Sequence, residues 1–223
     1  MIPLRDIIPS RTRPLVTCSL IAMLALVFLY DLGAGPGAGA PRELLGPMPG
    51  APGVLMLASI FRHRDPLLLA VSTLYLWMFG GTVEDRLGHG RFLVFYLLCG
   101  TAAALARASA DQVSLGAPNG AGAAVSGMMG AYVLLYPKSR VLTLVPVPLG
   151  IRLIEVPATF FFGIWAVVQL AVSLGPTPAG PASASTGAVL GGHLAAIATG
   201  LAGVGLFQRP ERRRVEWWDL QER

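Results

Sequence analysis

Long apolar runs alternate with short polar stretches along this chain. A helix that crosses the hydrocarbon core of a bilayer needs roughly 20 mostly apolar residues. Six runs reach or approach that length, and they cover residues 14–32, 66–83, 92–108, 120–136, 156–174 and 186–207. The pattern predicts an all-α fold, a polytopic membrane bundle of six transmembrane helices.

Two of the connections between these runs are long. Residues 33–65 begin with a Gly/Pro/Ala-rich part, which disfavours regular structure, and residues 53–61 are apolar but too short to span a bilayer. This second part predicts an interfacial or re-entrant element, which must be covered by protein or by a water-filled cavity. A Gly/Pro/Ser-rich linker, residues 175–185, joins the last two runs.

The basic residues indicate the orientation. Cytoplasmic loops of membrane proteins carry an excess of Lys and Arg. If the N-terminus is cytoplasmic, the inner segments hold thirteen of the 17 Lys and Arg residues, and only four remain outside: Arg42, Arg62, Arg64 and Arg107. We therefore expect both termini in the cytoplasm. The predicted parts are a cytoplasmic N-terminal segment (1–13), a membrane domain (14–207) and a basic cytoplasmic tail (208–223).

The composition agrees with a membrane protein. The chain is 54% hydrophobic and 13% charged, whereas soluble domains are about a quarter charged. The net charge of +5 follows from the inner loops, so a lipid bilayer is the expected partner and nucleic acid is not. Cys18 and Cys99 lie in apolar runs and are interpreted as small buried hydrophobes. Three scattered histidines form no metal site, and no cofactor is indicated.

Several segments, in order along the chain, resemble the rhomboid family of intramembrane serine proteases. Residues 120–132 resemble the helix that carries the nucleophile in that family. Further similar segments are Phe61-Arg-His63, residues 75–80 and 83–85, residues 136–144, Glu155-Val-Pro157 with Trp165 and Gln169, and Gly191-Gly-His193. The start of the chain resembles many bacterial rhomboids. The resemblance implies a bacterial cytoplasmic membrane protein with the rhomboid-like six-helix bundle.

The resemblance also implies positions for the catalytic groups. Rhomboids use a Ser–His dyad between the fourth and sixth helices, with oxyanion donors from a His and an Asn on the second helix. The base maps to His193, which is present. The nucleophile maps to Gly122, the oxyanion His to Leu68 and the oxyanion Asn to Ser72. Three of the four reacting positions have therefore changed.

Ser126 is the one candidate for a replacement nucleophile. It follows Gly122 by four positions, about one helical turn or roughly 6 Å, and therefore lies on the same helix face. The alternative is a small packing residue whose hydroxyl bonds a backbone carbonyl. His193 is a relict base, a surviving base or a ligand contact, whereas Glu84 is expected to anchor helix packing.

These residues support two hypotheses. The first is a pseudoprotease: a non-catalytic rhomboid-family protein that binds transmembrane segments of client membrane proteins. It rests on the joint change of Gly122, Leu68 and Ser72, since oxyanion donors alone contribute orders of magnitude in rate. The second is an active intramembrane serine endopeptidase that uses Ser126 and His193. The sequence gives no oligomeric state.

Overall fold

The computed structural model describes residues 2–6, 8, 12–34, 52–63, 65–111, 120–147, 150–174 and 186–208. The described part is mostly helical. We number its helices α1 (Leu15–Ala34), α2 (Pro52–Ser59), α3 (Pro66–Tyr75), α4 (Gly81–Leu87), α5 (His89–Asp111), α6 (Gly120–Leu135), α7 (Ala158–Leu174) and α8 (Thr186–Phe207). A π-helical turn, Leu76–Gly80, joins α3 to α4 without a break.

All six apolar runs form helices close to the predicted bounds. Four helical segments are long and apolar enough to cross a membrane: Leu15–Gly33, Pro66–Leu87, His89–Ala110 and Gly187–Phe207. Helices α6 and α7 are apolar but shorter, with 16 and 17 residues. The structure thus confirms four candidate spans, and the count of six stays a prediction. The short apolar part of the first loop forms α2, and its interfacial or re-entrant position stays a prediction.

A three-stranded antiparallel sheet was not predicted by the sequence analysis. Strand β1 (Ile2–Asp6) pairs with β2 (Arg140–Val147), and β2 pairs with β3 (Gly150–Pro157). The all-α description therefore holds for the membrane part alone, since residues 140–144 were read as a loop and residues 156–157 as the start of the fifth span. The sheet brings the N-terminal segment against the α6–α7 connection, so both lie on one side of the bundle.

Helix α6 lies at the centre of the bundle. Residues 121–132 are all buried, so this part of the helix has no face towards lipid. Its contact with α8 depends on two glycines. A Cβ atom placed on Gly200 would lie 2.0 Å from the carbonyl oxygen of Gly127. The two backbones therefore touch directly, which is the close approach that small residues permit between membrane helices.

Aromatic rings connect α7 to the helices on its inner side. Phe79, in the π-helical turn, lies with its ring centroid 4.8 Å from that of Tyr132 on α6 and 5.3 Å from that of Phe162 on α7. Tyr75 lies 4.8 Å from Trp165 on α7. Offset and edge-to-face pairs of this kind add to the stabilisation from area burial. They position the face of α7 that carries Trp165 against α3 and α6.

Glu84 joins the start of α1 to the end of α4. Its carboxylate is fully buried and accepts hydrogen bonds from the backbone N–H of Val16 (2.9 Å), the backbone N–H of Thr17 (2.8 Å) and the Thr17 hydroxyl (2.7 Å). The imidazole Nδ1 of His89 also contacts it. A carboxylate at a helix N-terminus satisfies unpaired N–H groups and interacts favourably with the helix dipole. The predicted structural role of Glu84 is confirmed.

The Gly127–Gly200 contact predicts a strong response to one methyl group. Gly200→Ala should lower the free energy of unfolding by about 3 kcal/mol, because the new Cβ has only backbone in front of it and the helices must separate. Gly205→Ala is the matched control on the same helix, since nothing lies within 4 Å of its Cβ position. Titration of helical circular dichroism with SDS in mixed micelles measures both. Equal losses in the two variants would contradict the contact.

The hydrogen bonds of the Glu84 carboxylate lead to a second prediction about stability. Glu84→Gln should lower the free energy of unfolding by about 2 kcal/mol, because charge-assisted hydrogen bonds to the start of α1 are lost. Glu155→Gln is the control, since that carboxylate is half exposed and pairs only with exposed Arg140. The same SDS titration compares them. A Glu84→Gln protein as stable as the control would show that the N-terminal end of α1 does not depend on this group.

Candidate functional site

The central helix presents two positions of the candidate site on one face. Gly122 and Ser126 lie one turn apart on α6, and the Ser126 hydroxyl lies 3.1 Å from the Gly122 carbonyl oxygen. This side-chain-to-backbone contact within a helix is the packing role that the sequence analysis kept open. Only 2% of Ser126 is exposed. Its hydroxyl therefore has to find all of its partners inside the bundle.

Ser126 also contacts two other helices. The indole Nε1–H of Trp165 on α7 donates a hydrogen bond to the Ser126 Oγ atom at 2.8 Å. The Nδ1 atom of His193 on α8 lies 2.8 Å from the same oxygen. One hydroxyl thus joins α6, α7 and α8. The one-turn displacement from Gly122 does not separate Ser126 from the base position, and the structure brings this predicted pair together.

The proton of the Ser126 hydroxyl has two acceptors within reach. Trp165 can only donate, so it occupies one lone pair of Oγ. In one arrangement Ser126 donates to a neutral His193 whose Nδ1 is unprotonated. In the other, His193 Nδ1–H donates to Oγ, and Ser126 donates to the Gly122 carbonyl. The first arrangement is the one that a nucleophile and its base require; the second is purely structural.

The space beside Gly122 is occupied. A Cβ atom at Gly122 would lie 3.2 Å from Nε2 of Gln169 and 3.6 Å from its Oε1. Gln169 is on α7, one turn after Trp165, and is itself buried. Its carboxamide therefore covers the position at which a family nucleophile would project. In the sequence, Gln169 is only a part of the resemblance, and nothing there indicates this role.

The two degenerate oxyanion positions lie on α3. Leu68 and Ser72 are both buried, and within the described residues the Ser72 hydroxyl has no hydrogen-bond partner. Tyr75, one turn further, packs against Trp165 and donates its hydroxyl to the Phe161 carbonyl at 2.6 Å. Helix α3 therefore reaches the site through Tyr75 and not through a donor aimed at Ser126. The role of Tyr75 was missed, because its motif alone does not show which way the ring points.

The first loop contributes a buried histidine. His63 has neither ring nitrogen hydrogen-bonded within the described residues, and burial lowers the pKa of its imidazole to about 4, so it is neutral at pH 7. Arg62, its neighbour, donates to Asp31 of α1 at 2.9 Å and ties the end of this loop to the first helix. Arg64 lies outside the described residues.

The described part of the chain holds no group of three or more His, Cys, Asp or Glu residues arranged to bind a metal ion. The chemistry available at the site is therefore that of one hydroxyl, one imidazole, one indole N–H and one carboxamide. These groups can hold a helix interface together or, with Ser126 donating to His193, form a dyad.

Comparison with known proteins places this arrangement in a family. No curated protein matches the chain. Residues 54–207, well over half of the 223 residues, match the family model described as the rhomboid domain. The match extends from the short helix of the first loop to the end of α8, and so includes every residue of the candidate site. The chain belongs to the rhomboid family of membrane proteins.

Proposed function

We propose that this chain is a non-catalytic rhomboid-family protein of the bacterial cytoplasmic membrane, which binds transmembrane helices of client proteins. The observation that carries the proposal is the Gln169 carboxamide over Gly122. A serine placed at position 122 would meet that amide before it met a substrate. The family's nucleophile position therefore has no side chain, and a Cβ atom there would require the Gln169 carboxamide to shift by a few tenths of an ångström.

The surroundings of Ser126 favour a structural role as well. Its oxygen accepts the Trp165 N–H, and its exposed fraction is 2%, so a substrate carbonyl has no open approach to it. Acyl transfer needs donors for the developing oxyanion. Leu68 provides no polar atom at its family position, and Ser72 provides a single hydroxyl. Ser126 is then a hydrogen-bonded tie between three helices.

The proposal includes six spans with both termini in the cytoplasm. Helices α6 and α7, with 16 and 17 residues, would extend about 24–26 Å, slightly less than a hydrocarbon core of about 30 Å. Local thinning of the bilayer accommodates a mismatch of this size. The pairing of β1 with β2 supports the topology, because it puts the N-terminal segment and the α6–α7 connection on one side.

A specific observation favours a second candidate function. The 2.8 Å distance between Ser126 Oγ and His193 Nδ1 is within the range of a nucleophile and its base. In that alternative the chain is an active intramembrane serine endopeptidase. His193 takes the hydroxyl proton, and Trp165 and Gln169 must move away for a substrate to approach Oγ.

One assay separates the two functions. The full-length protein is reconstituted in liposomes with a quenched fluorescent single-span peptide, which reports cleavage by dequenching and association by energy transfer to a labelled protein. We expect association without cleavage, and no labelling of Ser126 by a fluorophosphonate, because Gln169 and Trp165 close the site. Ser109→Ala is the matched control, since Ser109 is an exposed serine with the same kind of backbone hydrogen bond.

Cleavage or labelling that is lost in Ser126→Ala and retained in Ser109→Ala would overturn the non-catalytic proposal. If the peptide neither associates with the protein nor is cleaved, the proposal that the protein binds client helices is wrong.

A double-mutant cycle tests the tie between α6 and α7. Ser126→Ala should lower the free energy of unfolding by about 1–3 kcal/mol, because it leaves the buried Trp165 N–H without its acceptor. Combined with Trp165→Phe, the two losses should be non-additive by about 0.5–1.5 kcal/mol. SDS titration of helical circular dichroism measures all four proteins. Unchanged or increased stability in Ser126→Ala would instead indicate a residue kept for activity at the expense of stability.

A further inference from the structure

Arg107 is a cation inside an apolar helix, and the function proposed above does not use it. It lies on α5, in the segment His89–Ala110 that is long and apolar enough to span a membrane. Its exposed fraction is 7%, and among the side chains that the structure describes its Nε has no hydrogen-bond partner. Ionisable groups within a membrane segment are costly, and they mark ligand or ion pathways by default.

The neighbouring helix is shaped to accept this side chain. A Cβ atom on Gly192 of α8 would lie 2.8 Å from Arg107 Cγ and 3.1 Å from its Cδ. The missing side chain of Gly192 therefore makes room for the aliphatic stem of Arg107. His193 directly follows Gly192, so the Arg107 stem contacts α8 one residue away from the candidate base. The cation thus lies beside the candidate site, covered from lipid.

We propose that Arg107 binds a carboxylate carried by the client segment, the side chain of an Asp or Glu within the membrane helix. The inference rests on the proposed binding of client helices and specifies which of them are bound. A guanidinium presents a planar fork of donors that matches a carboxylate with two parallel hydrogen bonds. A buried cation without a partner is unfavourable, and such a ligand neutralises it.

The position of Arg107 determines where the client carries the acid. Gly192 lies six residues after the start of α8 at Thr186, so the Arg107 stem crosses α8 about 9 Å below that end. For a client helix that runs beside the bundle, the acidic residue must therefore lie roughly two turns inside the outer end of the helix to reach Arg107. The phosphate of a lipid headgroup lies outside the hydrocarbon core, so a side chain of a client helix is the better match for a cation at this depth.

Paired peptides test this inference. Two single-span Leu/Ala peptides differ by one residue, Asp or Asn, two turns inside the outer end, and a third carries the Asp at mid-helix. Their affinity for the full-length protein is measured by energy transfer in neutral phosphatidylcholine liposomes. We expect wild type to bind the outer-Asp peptide about 10-fold more tightly than the Asn peptide, as expected for a charged hydrogen bond.

Variants assign that preference to Arg107. Arg107→Gln should remove it, and Arg107→Lys, which keeps the charge without the fork, should retain part of it. Arg140→Gln should leave it unchanged, since that guanidinium is exposed in the sheet. A preference that survives Arg107→Gln, or one that is equal for the mid-helix Asp, would overturn the inference.

The remaining outcomes separate this inference from client binding itself. Equal binding of the Asp and Asn peptides overturns the carboxylate site and leaves client binding intact, whereas no binding of any peptide removes both. A preference that disappears when the liposomes contain phosphatidylglycerol assigns the site to a lipid phosphate. If the protein prefers the Asp peptide only when Asp111 is replaced by Asn, Arg107 pairs with Asp111 in the wild type. Either result overturns a client carboxylate as the ligand.

Discussion

The backbone contact between Gly127 and Gly200 is the constraint on which the rest of the bundle depends. Helices α6 and α8 touch where the Gly127 carbonyl occupies the space of a side chain at position 200. In a bilayer, apolar side chains gain little by leaving lipid for protein, so close packing has to provide the association. Ser126 directly precedes Gly127, and His193 lies two turns before Gly200. The crossing of these two helices therefore brings the Ser126 hydroxyl and the His193 imidazole together.

The polar groups of the interior fall into two sets around that crossing. In one set every charge or dipole has a partner: Glu84 with the start of α1, and Ser126 with Trp165 and His193. These contacts hold helices together, since buried polar groups stabilise a membrane bundle only when they are paired. Arg107 belongs to the other set. Its stem packs against Gly192, while its Nε has no hydrogen-bond partner among the described side chains.

The sequence was sufficient for the helices and insufficient for the site geometry. Apolar runs of 17 to 22 residues predict membrane helices by length, and the bounds agree within a few residues. The sheet was missed because its strands have only 5 to 8 residues each, and a short apolar strand and the edge of a span then look alike. The residue types of the site followed from the resemblance. The Ser126–His193 distance depends on the helix crossing, and the place of the Gln169 amide depends on a rotamer, so neither could be read from spacing.

The same scaffold is compatible with catalysis and with binding, and two side chains of α7 separate them. With Trp165 donating to Ser126 and Gln169 covering Gly122, the site is closed and its hydroxyl ties three helices. If α7 moved outwards, both groups would leave together, since they are one turn apart on the same helix. Ser126 would then keep His193 as its partner, because that contact is made by α6 and α8, whose glycines hold them in register. A site opened in this way still lacks donors at Leu68, so the opening favours the entry of a client helix over acyl transfer.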